Sequence, residues 1–283
     1  MIPIGAQTNP VLDEEAKKIL RRGLGRAKLE FAASVTAPFF WVLRGSDGIV
    51  SYKNGSVFFL DAGSGVFAVT ANHVVQECMN DTKSSMFVQS VIGGHGRTVK
   101  VNIGDRIIDG NEKIDIATFR VTREEIHCSG CTILTGIQSS WPPPLPEPEQ
   151  SVTCCGFPGS GRKKLAPNEL AFGRFGLGAT VSSVHERCIS ILVERENLRR
   201  VLGAKDMPEN YDFGGMSGGP VIAIAEMGGI RSWMPAGVIF QGPNSSTDPS
   251  QSILGLEIIR ARPIQFIMAD GSLDLDRWRS LIP

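Results

Sequence analysis

Short apolar runs separated by turn-forming residues constrain the fold of this chain more than any other feature of its sequence. Residues 38–43, 57–60 and 66–70 are three such runs, and DAGSG at 61–65 is typical of a hairpin turn between the last two. The chain also contains 32 glycines and 17 prolines, which favour short strands joined by turns over long helices. The pattern therefore predicts an all-β fold from about residue 36 onwards.

A proline-dense segment divides this strand-rich region into two halves. Residues 141–150 read WPPPLPEPEQ, and prolines at this density cannot pair in a sheet, so the segment predicts an extended linker. Further apolar runs lie at 86–92, 99–103 and 114–121 before the linker, and at 152–156, 179–184, 189–193, 221–225, 236–240 and 253–259 after it. About six short strands in each half predict two six-stranded antiparallel β-barrels.

These features predict five segments along the chain. We expect an N-terminal helical extension at 1–35, a first barrel at 36–140, the linker at 141–150, a second barrel at 151–265 and a C-terminal tail at 266–283 with a short helix near 273–281. Asn9 and Pro10 suit the start of a helix over 9–26, whose early acidic and late basic residues complement the helix dipole. This helix packs on the main domain in one interpretation and contacts a protein partner in another.

Composition excludes several classes of function. Lys plus Arg and Asp plus Glu both number 29, so nothing in the charge favours nucleic acid or an anionic membrane. The first residues lack the charged and apolar regions of a signal peptide, which predicts a cytoplasmic protein. The six cysteines are then expected to be free thiols. Cys128 and Cys131 lack a second ligand pair, so we expect no metal and no cofactor.

Three residues with unusual surroundings are candidates for chemistry. His73 follows an apolar run and a polar turn in FAVTANH. Asp115 lies in an otherwise apolar stretch, where an unpaired carboxylate would be costly. Ser217 lies in GGMSGGPV, whose glycines allow tight turns and close substrate approach. Each alone has an ordinary structural interpretation, but together they supply a base, an orienting acid and a nucleophile.

Other catalytic patterns fit the sequence less well. The GxSxG around Ser217 is also typical of α/β-hydrolases, but their acid and histidine follow the serine, and all four histidines here precede it. A subtilisin-like order needs an acid before His73, and Asp61 lies in the predicted hairpin turn. Residues 156–164 are similar to a phosphate-binding loop, but Arg162 and Lys163 occupy the positions that need Lys and then Ser or Thr, so a plain loop is predicted.

Three motifs resemble those of the trypsin-like serine peptidases, which have the chymotrypsin fold. They are TANHV at 70–74, DIA at 115–117 and GMSGGP at 215–220, in the order of that family. The resemblance covers roughly residues 36–265 and is closest to the bacterial members. Recurring turns of those members are similar to GSG at 63–65 and GFPG at 156–159 in this sequence. It implies an endopeptidase that cleaves a protein or peptide through an acyl-enzyme, with His73, Asp115 and Ser217 as triad and the N–H groups of Gly215 and Ser217 as oxyanion hole.

The same resemblance implies where the substrate side chain binds. The expected pocket residues are Tyr211, Asp212, Phe213, Ile239, Phe240, Gln241 and Gly242. Tyr211 stands where members that cut after Arg or Lys carry an acid, so a small or apolar preference is expected. Met216 stands where precursor-activated members carry the aspartate that pairs with a new N-terminus, so no activating cleavage is expected. The alternative function is a non-catalytic protease-fold module that binds a protein partner.

Overall fold

The computed structural model describes Lys18 and residues 23–94, 97–136, 141–166, 169–194, 212–227, 230–243 and 257–281. In the first half the elements are α1 (Leu24–Val35), β1 (Thr36–Arg44), β2 (Val50–Asp61), β3 (Val66–Thr70), α2 (Asn72–Thr82), β4 (Phe87–Gly94), β5 (Arg97–Lys100), β6 (Ile107–Asn111), β7 (Ile116–Arg120), α3 (Arg123–Ser129) and β8 (Leu134–Thr135). In the second half they are β9 (Ser151–Gly156), β10 (Arg162–Ala166), β11 (Glu169–Phe172), β12 (Phe175–His185), β13 (Cys188–Val193), β14 (Pro220–Met227), β15 (Ile230–Gln241), β16 (Glu257–Pro263) and α4 (Leu275–Ser280). The prediction of a mainly β protein with few helices is confirmed.

The first half forms one eight-stranded sheet. Its strands follow the order β5-β4-β1-β2-β3-β7-β6, and β8 pairs in parallel with β2. One face buries an apolar core that includes Trp41, Phe59 and Phe119. Val99 of β5 and Ile107 of β6 pack against this same core from the two ends of the sheet. The sheet has more strands than the six predicted, because the short β6 and β8 also pair.

The second half forms a closed six-stranded barrel. Its strands follow the order β12-β13-β16-β15-β14-β9, and every neighbouring pair is antiparallel. The barrel interior buries residues such as Ile191, Val221 and Ala261. A separate hairpin, β10–β11, lies outside the barrel and occupies part of the segment predicted as a plain loop at 156–164. Its charged side chains alternate too weakly with apolar ones to mark it as strand in the sequence.

A third apolar cluster lies between the two halves. Phe58 and Leu60 reach it from the first sheet, and Ile222 and Val238 reach it from the barrel. All four are 0–2% exposed. The two halves therefore share one buried interface rather than touching only through the linker.

The described terminal segments pack on this framework. In α1, Ala32 and Val35 are fully buried, and the Phe31 ring stacks on Trp233 at 4.7 Å between centroids. Lys18 and residues 23–26 are the only described part of the helix predicted at 9–26, so its role as a partner-binding arm lies outside the described residues. At the other end, Asp274 caps α4 by accepting the Arg277 N–H at 2.9 Å. No helix in the described ranges is long and apolar enough to span a membrane.

Candidate active site

Asp115 is presented by a tight turn between β6 and β7. Its φ of 57° lies in the left-handed region, which aspartate tolerates better than most residues with a side chain. Asn111 fixes the turn, because its Oδ1 accepts the N–H groups of Lys113 at 2.9 Å and Ile114 at 3.0 Å. The Asp115 N–H donates in turn to the Asn111 carbonyl at 2.8 Å. The turn therefore directs the carboxylate away from the strand, whose apolar residues face the core.

His73 lies in the first turn of α2, where it meets that carboxylate. Its Nδ1 is 2.8 Å from Asp115 Oδ2, and its backbone N–H donates to Oδ1 at 2.9 Å. A carboxylate can only accept, so the pair holds the ring proton on Nδ1 and leaves Nε2 as an acceptor. The His73 side chain is 47% exposed and that of Asp115 is 16% exposed, so Nε2 has access to solvent and substrate.

The charges around His73 favour its protonated form. Burial of the ring lowers its pKa, but the Asp115 hydrogen bond and the negative charges of Asp115 and Glu77 outweigh that effect. The pKa of His73 is therefore raised above its ordinary value. A base of this kind is neutral above the raised value and can then take a proton from a neighbouring hydroxyl.

Ser217 lies in the glycine-rich loop that precedes β14. Its carbonyl accepts the Ser56 N–H of β2 at 2.8 Å, and the next N–H, of Gly218, donates to Ile239 of β15 at 2.7 Å. The Ser217 hydroxyl donates to the Phe240 carbonyl at 3.4 Å. Ser217 and His73 are both described, and no hydrogen bond joins them.

The serine loop packs directly on the start of the helix that carries His73. A Cβ added to Gly218 would overlap Ser56 O and Thr70 Oγ1 and would lie 3.0 Å from the N atom of Ala71. Ala71 is the residue before α2 begins, two positions ahead of His73. The fold thus brings the serine loop, the histidine and the aspartate to one place at the junction of the two halves.

The peptide between Gly215 and Met216 is held by a buried hydroxyl. Ser56 Oγ donates to Gly215 O at 2.8 Å and accepts the Phe157 N–H at 2.9 Å. Gly215 has a φ of 97°, and an added Cβ would meet Phe157 O at 2.7 Å and Asn54 Nδ2 at 2.9 Å, so only glycine fits. Within the described residues, the N–H groups of Gly215 and Ser217 donate to no acceptor. These two N–H groups, two positions apart in the serine loop, therefore have no acceptor among the described residues.

The residues predicted to line the substrate pocket fall into two adjoining segments. Tyr211 lies outside the described residues. A Cβ added to Gly242 would lie 2.8 Å from Phe213 Cβ, so the chain before the serine runs beside the end of β15. Phe213 and Ile239 are 1% and 0% exposed and belong to the barrel core, so neither side chain lines an open pocket.

The remaining pocket candidates are more accessible. Asp212 is exposed, and its Oδ1 accepts the Gly214 N–H at 2.8 Å. Phe240 and Gln241 are half-buried. Gln241 Oε1 accepts a hydrogen bond from Arg260 at 3.2 Å. The carboxylate of Asp212 is thus used locally to shape the serine loop.

Comparisons with known proteins find likeness in structure but not in sequence. No protein-family model matches the chain, and no curated protein matches it. It is similar to the active form of the Rv3671c protease from M. tuberculosis, with 14% identity, a TM-score of 0.42, and coverage of 86% of this chain and 82% of that one. The identity and the TM-score are both low although most of each chain is covered.

Two further similar structures concern Sesbania mosaic virus. One comes from work on the coupled folding and binding of the intrinsically disordered VPg protein of this virus. It has 14% identity, a TM-score of 0.41, and coverage of 82% of this chain and 93% of that one. The other is the serine protease domain of the viral polyprotein, with 12% identity, a TM-score of 0.38, and coverage of 80% and 88%.

Two residues that contact the site carry no motif in the sequence. Ser56 is a fully buried hydroxyl in an otherwise apolar strand end, and it touches both Gly215 and Phe157. Arg262, on β16, donates to the turn that presents Asp115. Their partners are more than 100 positions away in the chain, so only the fold reveals them. The polar residue inside a buried strand was the one available signal for Ser56.

Proposed function

We propose that this protein is a serine endopeptidase of the trypsin-like kind. Ser217 is the nucleophile, His73 the general base and Asp115 the residue that orients the imidazole. The observation that carries the proposal is the 2.8 Å contact between His73 Nδ1 and Asp115, placed at the helix start on which the serine loop packs. The substrate is a protein or peptide, and the chemistry uses neither a metal nor a cofactor.

The reaction follows from the positions of these groups. Ser217 Oγ attacks the scissile carbonyl while its proton passes to His73 Nε2, the nitrogen that Asp115 leaves free. The N–H groups of Gly215 and Ser217 stabilise the oxyanion that forms. His73 then protonates the leaving amine as the C–N bond breaks, and water hydrolyses the acyl-enzyme by the same steps in reverse order.

The observed position of the Ser217 hydroxyl differs from the one that the reaction needs. The Ser217 hydroxyl donates to Phe240 O, at a long 3.4 Å, instead of to His73. Rotation about the Cα–Cβ bond moves it between staggered positions, and catalytic hydrogen bonds are often loose before substrate binds. The hydroxyl is therefore expected to turn toward His73 Nε2 when substrate occupies the site.

The proposed family also requires a barrel in the first half. Val99 and Ile107, at the two ends of the first sheet, pack on the same core as its central strands. A sheet whose ends border one core is strongly curled, so we infer that β5 and β6 close it into a second barrel. The triad then has the arrangement of the family, with His73 and Asp115 from the first barrel and Ser217 from the second.

A non-catalytic module that binds a protein partner is the second candidate. The hydrogen bond from Ser217 to Phe240 O favours it, because a hydroxyl that stays there is not activated by His73. The two candidates differ in one measurable property, which is the reactivity of the Ser217 hydroxyl toward an electrophile.

Labelling with a fluorophosphonate and hydrolysis of a quenched peptide library test the proposal together. We expect the full-length protein to take up one label at Ser217 and to cleave peptides, and Ser217→Ala and His73→Ala to lose both properties. Ser160→Ala, which removes another serine hydroxyl in the same region, is the matched control and should keep both. If the folded wild-type protein takes up no label and cleaves no peptide, the protein is a binding module and the proposal is wrong.

A further inference from the structure

Arg262 is a partly buried cation that is satisfied by backbone carbonyls. Burial lowers the pKa of its guanidinium, and no carboxylate in the described part of the chain lies within ion-pair distance of it. Its Nε donates to Ile114 O at 2.7 Å, Nη1 to Arg187 O at 3.0 Å and Nη2 to Lys113 O at 3.4 Å. A buried charge held this way is costly and is retained where its geometry has a use.

The carbonyls that Arg262 contacts belong to the turn that presents the catalytic acid. Lys113 and Ile114 immediately precede Asp115, whose left-handed backbone costs of order 1 kcal/mol for a residue with a side chain. Asn111 binds the N–H groups of this turn, and Arg262 binds its carbonyl groups. The turn is therefore clamped from both sides, and Arg262 supplies the side that comes from the second half of the chain.

The same guanidinium also contacts the neighbourhood of the nucleophile. It stacks over the Phe240 ring at 4.0 Å, and the Phe240 carbonyl accepts the Ser217 hydroxyl. A planar guanidinium can stack and donate in its plane at once, whereas an ammonium group cannot. One side chain thus touches the turn of the acid and the strand beside the serine.

We propose that Arg262 is a positioning residue that sets where Asp115, and through it His73, lies relative to Ser217. This inference rests on the proposed peptidase function. Arg262 donates to none of the triad side chains, and acts by holding the carbonyls before Asp115 and the Phe240 ring in one frame. A displacement of about 1 Å in a catalytic group can cost roughly 10²-fold in rate, so the effect of losing this frame is measurable.

The kinetic test compares three variants on one quenched peptide substrate. Arg262→Gln should lower kcat by about 10- to 100-fold and change KM by a smaller factor, because Arg262 reaches the expected pocket only by stacking on the Phe240 ring. Arg262→Lys keeps the charge and part of the packing but not the planar fork, so its kcat should lie between those of Arg262→Gln and the wild type. Arg187→Gln is the matched control. Both Arg262 and Arg187 stack on the Trp278 ring, at 5.2 Å and 4.7 Å, but the Arg187 side chain donates to Trp278 O and not to the Asp115 turn.

A spectroscopic readout separates positioning from a general loss of structure. Nitrogen-15 NMR of labelled histidine reports whether His73 holds its proton on Nδ1, with His73→Gln as the assignment variant. We expect the Nδ1–H tautomer to dominate in the wild type and in Arg187→Gln, and to give way to a tautomer mixture in Arg262→Gln. This measurement does not depend on turnover, so it tests the inference even if the protein proves not to be a peptidase.

Two results would overturn the inference. The first is an Arg262→Gln protein whose His73 ring shifts and kcat both match the wild type. The second is an Arg187→Gln protein that loses as much kcat as Arg262→Gln, because packing on Trp278 alone would then explain the loss.

Discussion

Replacing Ser56 with alanine isolates the role of one buried hydroxyl in shaping the oxyanion hole. The change removes the hydrogen bonds to Gly215 O and from Phe157 N, both at a fully buried site. The Gly215 carbonyl and the Phe157 N–H, left without this partner at roughly 1–3 kcal/mol each, predict a loss of about 2–6 kcal/mol in the free energy of unfolding. The Gly215–Met216 peptide, which lies between the two peptides that carry the Gly215 and Ser217 N–H groups, then loses one of its two anchors and keeps only the bond from Met216 N–H to Phe213 O.

The effect of Ser56→Ala on turnover should exceed what its instability explains. Losing an oxyanion donor outright costs roughly 10²–10³-fold in kcat, so loosening the chain between the two donors while both remain should cost about 10- to 100-fold. Urea titration gives the stability, and steady-state hydrolysis well below the denaturation midpoint gives kcat.

Ser90→Ala is the matched control for this experiment. Ser90 is 4% exposed, lies in the first sheet, and donates one hydrogen bond to Val101 O at 2.5 Å. Its loss should lower stability by about 1 kcal/mol and leave kcat unchanged. If Ser56→Ala keeps kcat within about threefold of Ser90→Ala, the bond from Ser56 to Gly215 O does not position the two N–H donors and the reasoning is wrong.

Three further predictions concern pH, specificity and activation. Because Asp115 raises the pKa of His73, hydrolysis should rise with pH through a midpoint above ~6.5, and Asp115→Asn should lower that midpoint, which a pH–rate profile measures. Stability changes with pH in the opposite direction to activity. The stabilisation from the charged His73–Asp115 pair is complete below pH ~6.5 and is lost as pH rises through the raised pKa of His73, so thermal melts should show stability declining as activity appears. Since Tyr211 rather than an acid stands at the expected specificity position, library profiling should show no dominant cleavage after Arg or Lys; such dominance would refute this. Met216 is fully buried and uncharged, so intact-mass analysis of labelled protein should find the label on the uncut chain rather than only on a shortened one.

The sequence was informative wherever the signal was local. Apolar runs bounded by turn-formers marked most strands, and the hairpin between β2 and β3 lies where DAGSG predicted it. His73 and Asp115 could be paired only through the resemblance of their motifs, since 42 positions separate them in the chain. The contact itself depends on the left-handed turn at Asp115, a conformation that no residue pattern near it announces.

The rest could not be predicted because it depends on long-range packing. Helix α2 begins directly after the strand that leads to His73, and its apolar positions Val74, Val75 and Cys78 are too few to mark a helix. The strand order of the first sheet is decided by which apolar faces meet, and the alternating pattern is the same for several orders. The contacts of Arg262 with the Asp115 turn arise only when the two halves are assembled.

The apolar layer shared by the two halves makes each half depend on the other for its folded state. Phe58 and Leu60 on one side, and Ile222 and Val238 on the other, would face water if either half were made alone. The linker adds to this dependence, because Trp141 Nε1, at its first-half end, donates to Ile267 O at 2.8 Å. A single nick within residues 141–150 should therefore leave the pieces associated, and fragments expressed apart should reassemble when mixed. The folded state of each half would then depend on the other half, as the subunits of an obligate heterodimer depend on each other.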